Sequence, residues 1–578
     1  MSKLFNFYGQ VIFNPGVYSK ILTVGNAAPT PSGETAVVYI AEAPNGPEFG
    51  TLVTGEKVSD FQKVLGESGP AIEAVFRGFN ASPSLSPATD IRVFNPRALV
   101  QATGMIETVA AGADAISVGS RIYGPIGNNI HLSLASTVAT VSFPWSDEDY
   151  TATIDNPVLT VQMTAGYITI TSTAMNIGPT GDLTEFKFAD YPKLIDLITA
   201  IEATISTCTV TKDVNISDNQ LTVDYFDHIV SETSIATAYE VKADLNQLIV
   251  FLRDTVSDLE IEKQSTATVM VADFDFYLTG GTSGSDPDAT QWGLVYDELE
   301  TQRLAVTCPI ADGMAAPYNS TLTAAIMVLD EAHAVKMNGP SYRGMRRQSF
   351  ISSHGGYGWA GGYVAKPSTA DDIVTIAITH NSEYSQFFGD GLNAITQQGV
   401  ELEQLPCYFA AQCASMFLGG LASRVLTSQS VTGIKASTKY SAADTKKLHI
   451  ASVIFPVTDN TGTYIRQFYT TWKSTAEPMK TVPSRVRCAL LSDNDIARKL
   501  EEWMKQYQNS GIAPFDSEGV TFIKSVLKSH QNKSVNWVTG WGDVTFESSG
   551  IEFEYSVEDI TVPAIPEYGF GTTYFLNT

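Results

Sequence analysis

Between residues 101 and 280 the chain changes character, and that change constrains the fold more than any other feature of the sequence. Thr, Ser, Val and Ile dominate there, in runs such as Val158–Met163 and Tyr167–Thr171, with turn residues between them. β-branched runs broken by turns suit the pleated, half-buried surface of a sheet, so the region reads as a β-sandwich or barrel. One helix is expected within it around Lys193–Glu202 and a second near Val241–Leu252.

The flanks read differently. Ala36–Ala41 is a buried strand, and Pro44-Asn45-Gly46-Pro47 a turn. Ser59 is the expected cap of a short helix carrying Phe61, Val64 and Leu65 and ended by Gly66. A second helix holds Ile72, Val75, Phe76 and Phe79, and Ile91–Phe94 returns as a strand. Beyond the β-rich region, a helix over Leu294–Leu299, a strand over Arg303–Pro309, a long helix over Ser320–Met337 and a strand over Gln348–Ser352 alternate. The run Ile373–Ile378 and a helix over 408–424 complete an α/β pattern.

The remainder holds an expected strand over Leu448–Phe455 and two amphipathic helices. Ile496, Leu500 and Met504 repeat every four residues in Asp493–Tyr507; Phe522, Val526 and Leu527 supply the apolar face of Val520–His530. Alternating strands follow over Gly542–Glu547 and Ile551–Val557, and the end, Gly569–Thr578, is an extended apolar tail. The beginning matches it: Val11, Phe13, Val17 and Ile21 alternate around Pro15-Gly16. Such a terminus cannot bury itself in one strand and needs a sheet edge to join.

A chain of 578 residues is too long for one core. The expected fold is α+β and multidomain: an N-terminal arm (1–24), a small N-terminal α/β unit (25–100), a β-rich domain (101–284), an α/β domain (285–440) and a C-terminal α+β domain with its own arm (441–578).

Composition excludes some functions. Lys and Arg number 36 against 62 Asp and Glu, a formal charge of -26. A phosphate backbone needs a basic surface, so nucleic-acid binding is not expected; the charge serves solubility and control of self-association. Cys208, Cys308, Cys407, Cys413 and Cys488 are odd in number and scattered, with no CxxC pair. They make neither a disulfide framework nor a zinc site, as expected of a chain folded in a reducing cytoplasm. The N-terminus lacks the apolar core of a signal peptide. Twenty uncharged residues lie between Glu403 and Arg424, but Gln404, Gln412, Ser415, Gly419 and Gly420 dilute them, so a buried helix is expected rather than membrane insertion.

Fragments that suggest chemistry fail on inspection. Gly313-Met-Ala-Ala-Pro317 echoes the serine motif of subtilisins and Ser353-His354-Gly-Gly356 their histidine motif. Gly313 has no hydroxyl to attack a carbonyl, and the order of the fragments is reversed. The seven histidines never approach HExxH spacing. Asp286 and Asp288 lack the terminal Glu of a calcium loop and read as a solvated turn at a domain boundary. No catalytic residue, metal or cofactor is expected.

Several short motifs together resemble contractile-tail sheath proteins. They are Pro15-Gly16-Val17-Tyr18, Gly46-Pro47, Ser59-Asp60-Phe61 with Gly66, Phe76 with Gly78, and Arg92-Val93. Tyr123-Gly-Pro-Ile-Gly-Asn-Asn-Ile130 and Leu278-Thr-Gly-Gly281, followed by Gly284 and Trp292 to Leu299, continue the likeness. The Trp-Gly-Ala-Arg-Thr-Leu-type segment of many sheath C-terminal domains is not found; Arg466 to Trp472 and Arg485–Arg487 occupy that area.

The resemblance implies a sheath subunit of a virion tail, assembled in the host bacterial cytoplasm. It would form a helical homo-oligomer of stacked hexameric rings around an inner tail tube protein, meeting a baseplate and a tail terminator. It further implies that the 285–440 part is subtilisin-like in topology without protease activity, and that arms exchanged between subunits weave a mesh from which 101–284 projects. Phe13, Val17, Tyr18 and Ile21 would be the donated N-terminal face, Tyr574 and Phe575 the C-terminal arm, and Ile551, Phe553, Tyr555 and Val557 the receiving sheet. The alternative is that these strands pair within their own chain. Arg343, Arg346, Arg347 and the Lys480–Arg487 stretch would meet acidic neighbours, or form an ordinary solvated face. Rival readings are another tail component, such as a terminator or baseplate protein, and a degenerate subtilisin-like hydrolase.

Overall fold

A computed structural model of the chain describes residues 36–79, 90–107 and, with short gaps, 114–389 and 440–472. Elsewhere it describes residues 407 and 409–411 and short strands at 5–7, 10–12, 394–396, 434–436, 540–541, 545–547, 550–552, 554–557 and 574–577.

Six strands make one central sheet. β1 (Ala36–Ile40), β2 (Val53–Gly55) and β3 (Asp90–Phe94) come from the N-terminal part. β4 (Val306–Pro309), β5 (Gln348–Ser352) and β6 (Ser385–Phe388) come from beyond the β-rich region. The order is β6-β5-β4-β1-β3-β2; β2 is antiparallel at one edge and every other pair is parallel. Val306 lies opposite Val37 on one side and Gln348 on the other. The separate α/β units expected over 25–100 and 285–440 therefore share one sheet. β1 is buried along its whole length and must satisfy its backbone on both sides, whereas the N-terminal part offers it only β3.

Both faces of this sheet are covered, as a parallel sheet requires. Odd-numbered Val37 and Tyr39 pack with Ile91 and Val93 against Phe61, Leu65, Ala74 and Val75 of α1 (Val58–Leu65) and α2 (Pro70–Phe79). Even-numbered Ala36, Val38 and Ile40 turn the other way, onto Trp292 and Val295 of α3 (Ala289–Leu299) and Ile326 of α4 (Ser320–Met337). On the same side, Ile351 and Phe387 meet α5 (Ala370–His380) and α6 (Ala442–Ile450) through Ile373, Ala377 and Leu448.

Local details depart from the pattern reading. Lys57, not Ser59, caps α1; the Asp60 carboxylate accepts the backbone N–H of Glu56 and Lys57. Phe76 is 42% exposed. Gly78 faces the sheet instead: a Cβ there would stand 2.4 Å from Tyr39 Oη, so only glycine lets α2 lie this close to β1. The run Ile373–Ile378 is helical within α5, started by a Thr369 side chain that accepts from Asp372 N–H. Leu448 to Ile450 belong to α6, capped by Ser441, and only Ile454 pairs as a strand would, beside Phe388. The run Ile551–Val557 is two strands in different sheets, Gly550–Glu552 and Glu554–Val557.

The expected β-rich region is present, as two bodies rather than one. The first has two sheets. One pairs Asp114–Ser120 with Thr103–Glu107 and Leu259–Lys263. The other orders Tyr150–Thr153, Val138–Ser142, His131–Ala135 and Phe274–Tyr277. Ile116, Val118, Leu132, Val141, Leu252 and Leu259 lie in its core. The second body spans 158–242 and is nested inside the first, with two more sheets around the helix Leu194–Thr204 and a core including Leu159, Ile168, Ile177, Leu197 and Phe188. The second expected helix is Asp244–Val250, continued by a wider turn over Phe251–Thr255.

Most of the helix expected over 408–424, both helices over 493–507 and 520–530, and Gly313, Arg343, His354 and Lys480–Arg487 lie outside the described residues. Among the described residues no helix is long and apolar enough to cross a membrane, and no His, Cys, Asp and Glu group suits a metal.

Candidate functional site

The chain crosses between the central sheet and the inserted bodies twice, and the two crossings run side by side. Val100 and Thr282 exchange backbone hydrogen bonds of 3.0 and 3.3 Å, and Thr103 and Thr279 exchange bonds of 2.8 and 2.9 Å. This two-stranded neck is where the motifs converge. Gly46 and Tyr123 pair across it at 3.1 and 2.7 Å. The Asn128 side chain donates to Gly281 O and accepts from Gly281 N–H. The Asn45 side chain accepts from Ile126 N–H at 3.0 Å, and Asn95 donates to the carbonyls of Ala43 and Asn45 at 2.9 and 3.1 Å. Gly124 has φ 109°, and a Cβ there would stand 2.5 Å from Pro44 O. Side chains are excluded twice over, by backbone conformation and by space.

Arg97, just past β3, is the electrostatic centre of the junction. Its guanidinium donates to Glu42 at 2.5 Å, Asp286 at 2.7 Å, Ser283 O at 2.7 Å and Gly284 O at 2.9 Å. Arg97 and Glu42 are both nearly fully buried. A buried pair holds only when its remaining hydrogen-bonding capacity is met, and the two carbonyls meet it here. The turn at 286–288 is thus not simply solvated: Asp286 binds Arg97, and Asp288 caps α3 by accepting from Gln291 N–H. No nucleophile with an adjacent base stands among these residues; their polar groups are spent on fixing the mount.

Arg346 and Arg347, expected at a subunit surface, are buried. Arg347 donates to the carbonyls of Leu299 and Gln302 at 3.0 and 2.6 Å, placing its charge at the C-terminal end of α3, where a helix favours cations. Sequence reasoning also missed a buried ionisable group on α4. Asp330 accepts from Tyr296 Oη and Ser349 Oγ, and burial pushes it up to about 7. His333 lies beside it, and burial pushes it down to about 3. The available signal was that apolar residues of Ser320–Met337 do not keep to one stripe.

Of the arm residues, Phe13, Val17, Tyr18, Ile21 and Phe553 lie outside the described residues. Phe5–Phe7 pairs with Gln10–Ile12 as a two-stranded ladder. Tyr574 stands opposite Val557, Phe575 opposite Ser556 and Leu576 opposite Tyr555, so the tail and the expected receiving strand are brought together within one chain. Ile551 is apart from them, opposite Phe546.

No protein-family model matches the sequence, and no curated protein matches it. Solved structures do. A sheath tail protein from Listeria innocua aligns over 94% of this chain and 94% of its own, at 12% identity and a TM-score of 0.53. A sheath tail protein from Desulfitobacterium hafniense aligns over 97% and 99%, at 12% identity and a TM-score of 0.45. The architecture is a mixed α/β multidomain one, a doubly covered sheet carrying nested β bodies. It is the fold of sheath tail proteins, and the resemblance read from the motifs is borne out at that level.

Proposed function

We propose that this chain is the structural subunit of a contractile phage tail sheath, without enzymatic activity. The observation that carries the reading is the likeness to the Listeria innocua sheath tail protein along nearly the whole of both chains. Subunits polymerise through a heterologous contact that does not close, which yields a helix of stacked rings around an inner tail tube. Terminal strands add to neighbouring sheets, main-chain bonds holding subunits and alternating side chains setting register. A two-stranded ladder such as 5–7 with 10–12 is marginal alone and gains by joining a larger sheet. Contraction is a rigid-body repacking of connected subunits that drives the tube through the host envelope. The baseplate and the terminator are the partners at the two ends, and the virion tail is the place of action.

Negative-stain microscopy of the purified protein tests this. Long tubes from the full chain, and none from a folded chain lacking residues 1–22, are the expected result. Closed rings would favour a terminator. Normal tubes from the truncated chain would remove the N-terminal arm from the mechanism.

A further inference from the structure

Helix α4 carries apolar residues on the side that faces water as well as on the side that faces the sheet. It buries Ile326, Met327, Ala334 and Met337. The residues it turns outward, Thr321, Ala324, Val328, Ala332 and Val335, follow at spacings of three and four, which makes one continuous stripe along a helix. Val328 is 70% and Val335 54% exposed. An outward stripe is normally polar and charged. Among the described residues of α4 the one exposed charge is Lys336, in the last turn, where it is paired with Glu300.

The neighbouring helices continue this surface. α3 and α5 both lie against α4, and they expose Leu294 (47%) and Ile378 (45%). Leu294 stands opposite the buried side of α3, which carries Trp292, Val295, Tyr296 and Leu299. Carboxylates flank the stripe: Asp297 and Glu298 are exposed on α3, and Glu331 of α4 is partly exposed. An apolar face with a charged margin is the anatomy of a protein–protein contact.

Area and charge indicate what covers it. An 18-residue helix is about 27 Å long and about 10–12 Å across. With the near sides of α3 and α5 the face measures on the order of 500 Å², against about 800 Å² per partner in a standard stable complex. A contact of that size holds a lone pair of molecules weakly, but it becomes effective where each copy is also held by other contacts, as in a polymer. Copies of this chain each carry a formal charge of -26 and repel. They meet at least cost where carboxylates are absent, and the outer stripe of α4 is such a place. Its acidic margin would repel the same margin on another copy, which makes the contact heterologous, α4 of one subunit against a different surface of the next.

We propose that, within the helical assembly of the proposed function, on which this step rests, the outer face of α4 is seated against a second copy of this chain. The stripe then loses its water on assembly, which adds an apolar driving force to the main-chain bonds of the arms.

Thiol labelling of the full chain carrying Val328→Cys, read by peptide mass spectrometry at residue 328, decides between free and covered. A maleimide should react there rapidly in the dilute subunit and about tenfold more slowly, or slower still, after assembly. Val328→Glu combined with Val335→Glu should fold as the unsubstituted chain does, since both sites are exposed in the subunit. It should nevertheless raise the protein concentration needed for assembly by on the order of tenfold, because two apolar side chains become carboxylates facing an acidic neighbour. Should that double variant not fold, the labelling alone decides. Unchanged assembly of a folded double variant, or equally fast labelling in tubes, would overturn the contact and leave the sheath function standing. Slow labelling already in the dilute monomer would overturn it too, by giving the face to another segment of the same chain. A chain that stays monomeric at every concentration would overturn both together and leave the face to a different protein. Closed rings protected at residue 328 would support the contact while removing the sheath function.

Discussion

The Asn128 side chain and the Gly281 backbone exchange two hydrogen bonds of 2.8 Å each, 153 residues apart in sequence. One amide thus reads both groups of a single peptide position and fixes one side of the neck relative to the other. The nested bodies are mounted on the central sheet through this pairing, the Gly46–Tyr123 bridge and Arg97.

Asn128→Ala should destabilise the neck by about 1–3 kcal/mol, because both Gly281 groups lose a part-buried partner. Asn128→Asp keeps only the acceptor and should fall between. Urea unfolding followed by tryptophan fluorescence measures both, and equal stability of all three proteins would contradict this role.

Arg97→Met should cost about 3–5 kcal/mol, since it takes the guanidinium away from the buried Glu42 carboxylate. Adding Glu42→Gln should recover part of that loss, because the buried charge is gone. A double-mutant cycle on unfolding free energies tests the coupling; simple additivity would show that the two side chains do not act as a pair.

Gly78→Ala should destabilise by about 1–3 kcal/mol, as the new methyl meets Tyr39 Oη at 2.4 Å and α2 must move off the sheet. Tyr39→Phe removes that oxygen, at the expense of its 2.8 Å bond to Cys407 O. Combined, the two substitutions should cost less than their sum, as read from thermal unfolding.

Val158 stands opposite Lys242, so the nested body leaves and re-enters the first body side by side. Replacing residues 158–242 with a two-residue turn should give a soluble subunit whose remaining cores unfold cooperatively. Under the proposed function it should still form tubes. Soluble protein that no longer assembles would place this body in the subunit contacts.

Much of this was legible in the sequence because it rests on local rules. Ala36–Ile40 and Val158–Met163 are strands wherever they sit, since their β-branched and aromatic residues fit a pleated surface. Ser320–Met337 has the expected bounds, and strands are the main regular elements of the Thr/Ser-rich region. Tertiary structure decided what local rules cannot reach. Whether Val37 pairs with Val306 is set by which distant strand completes a buried backbone, and nothing within 25–100 encodes it. Arg347 read as a surface charge and Asp330 was missed because their partners, the Leu299 carbonyl and the Tyr296 hydroxyl, are supplied by another helix. Asp286 read as solvated because Arg97, its partner, lies 189 residues away. Periodicity reports which face of an element is apolar; only packing determines which charged side chains are taken inside, because that depends on a hydrogen-bond partner brought by the rest of the fold.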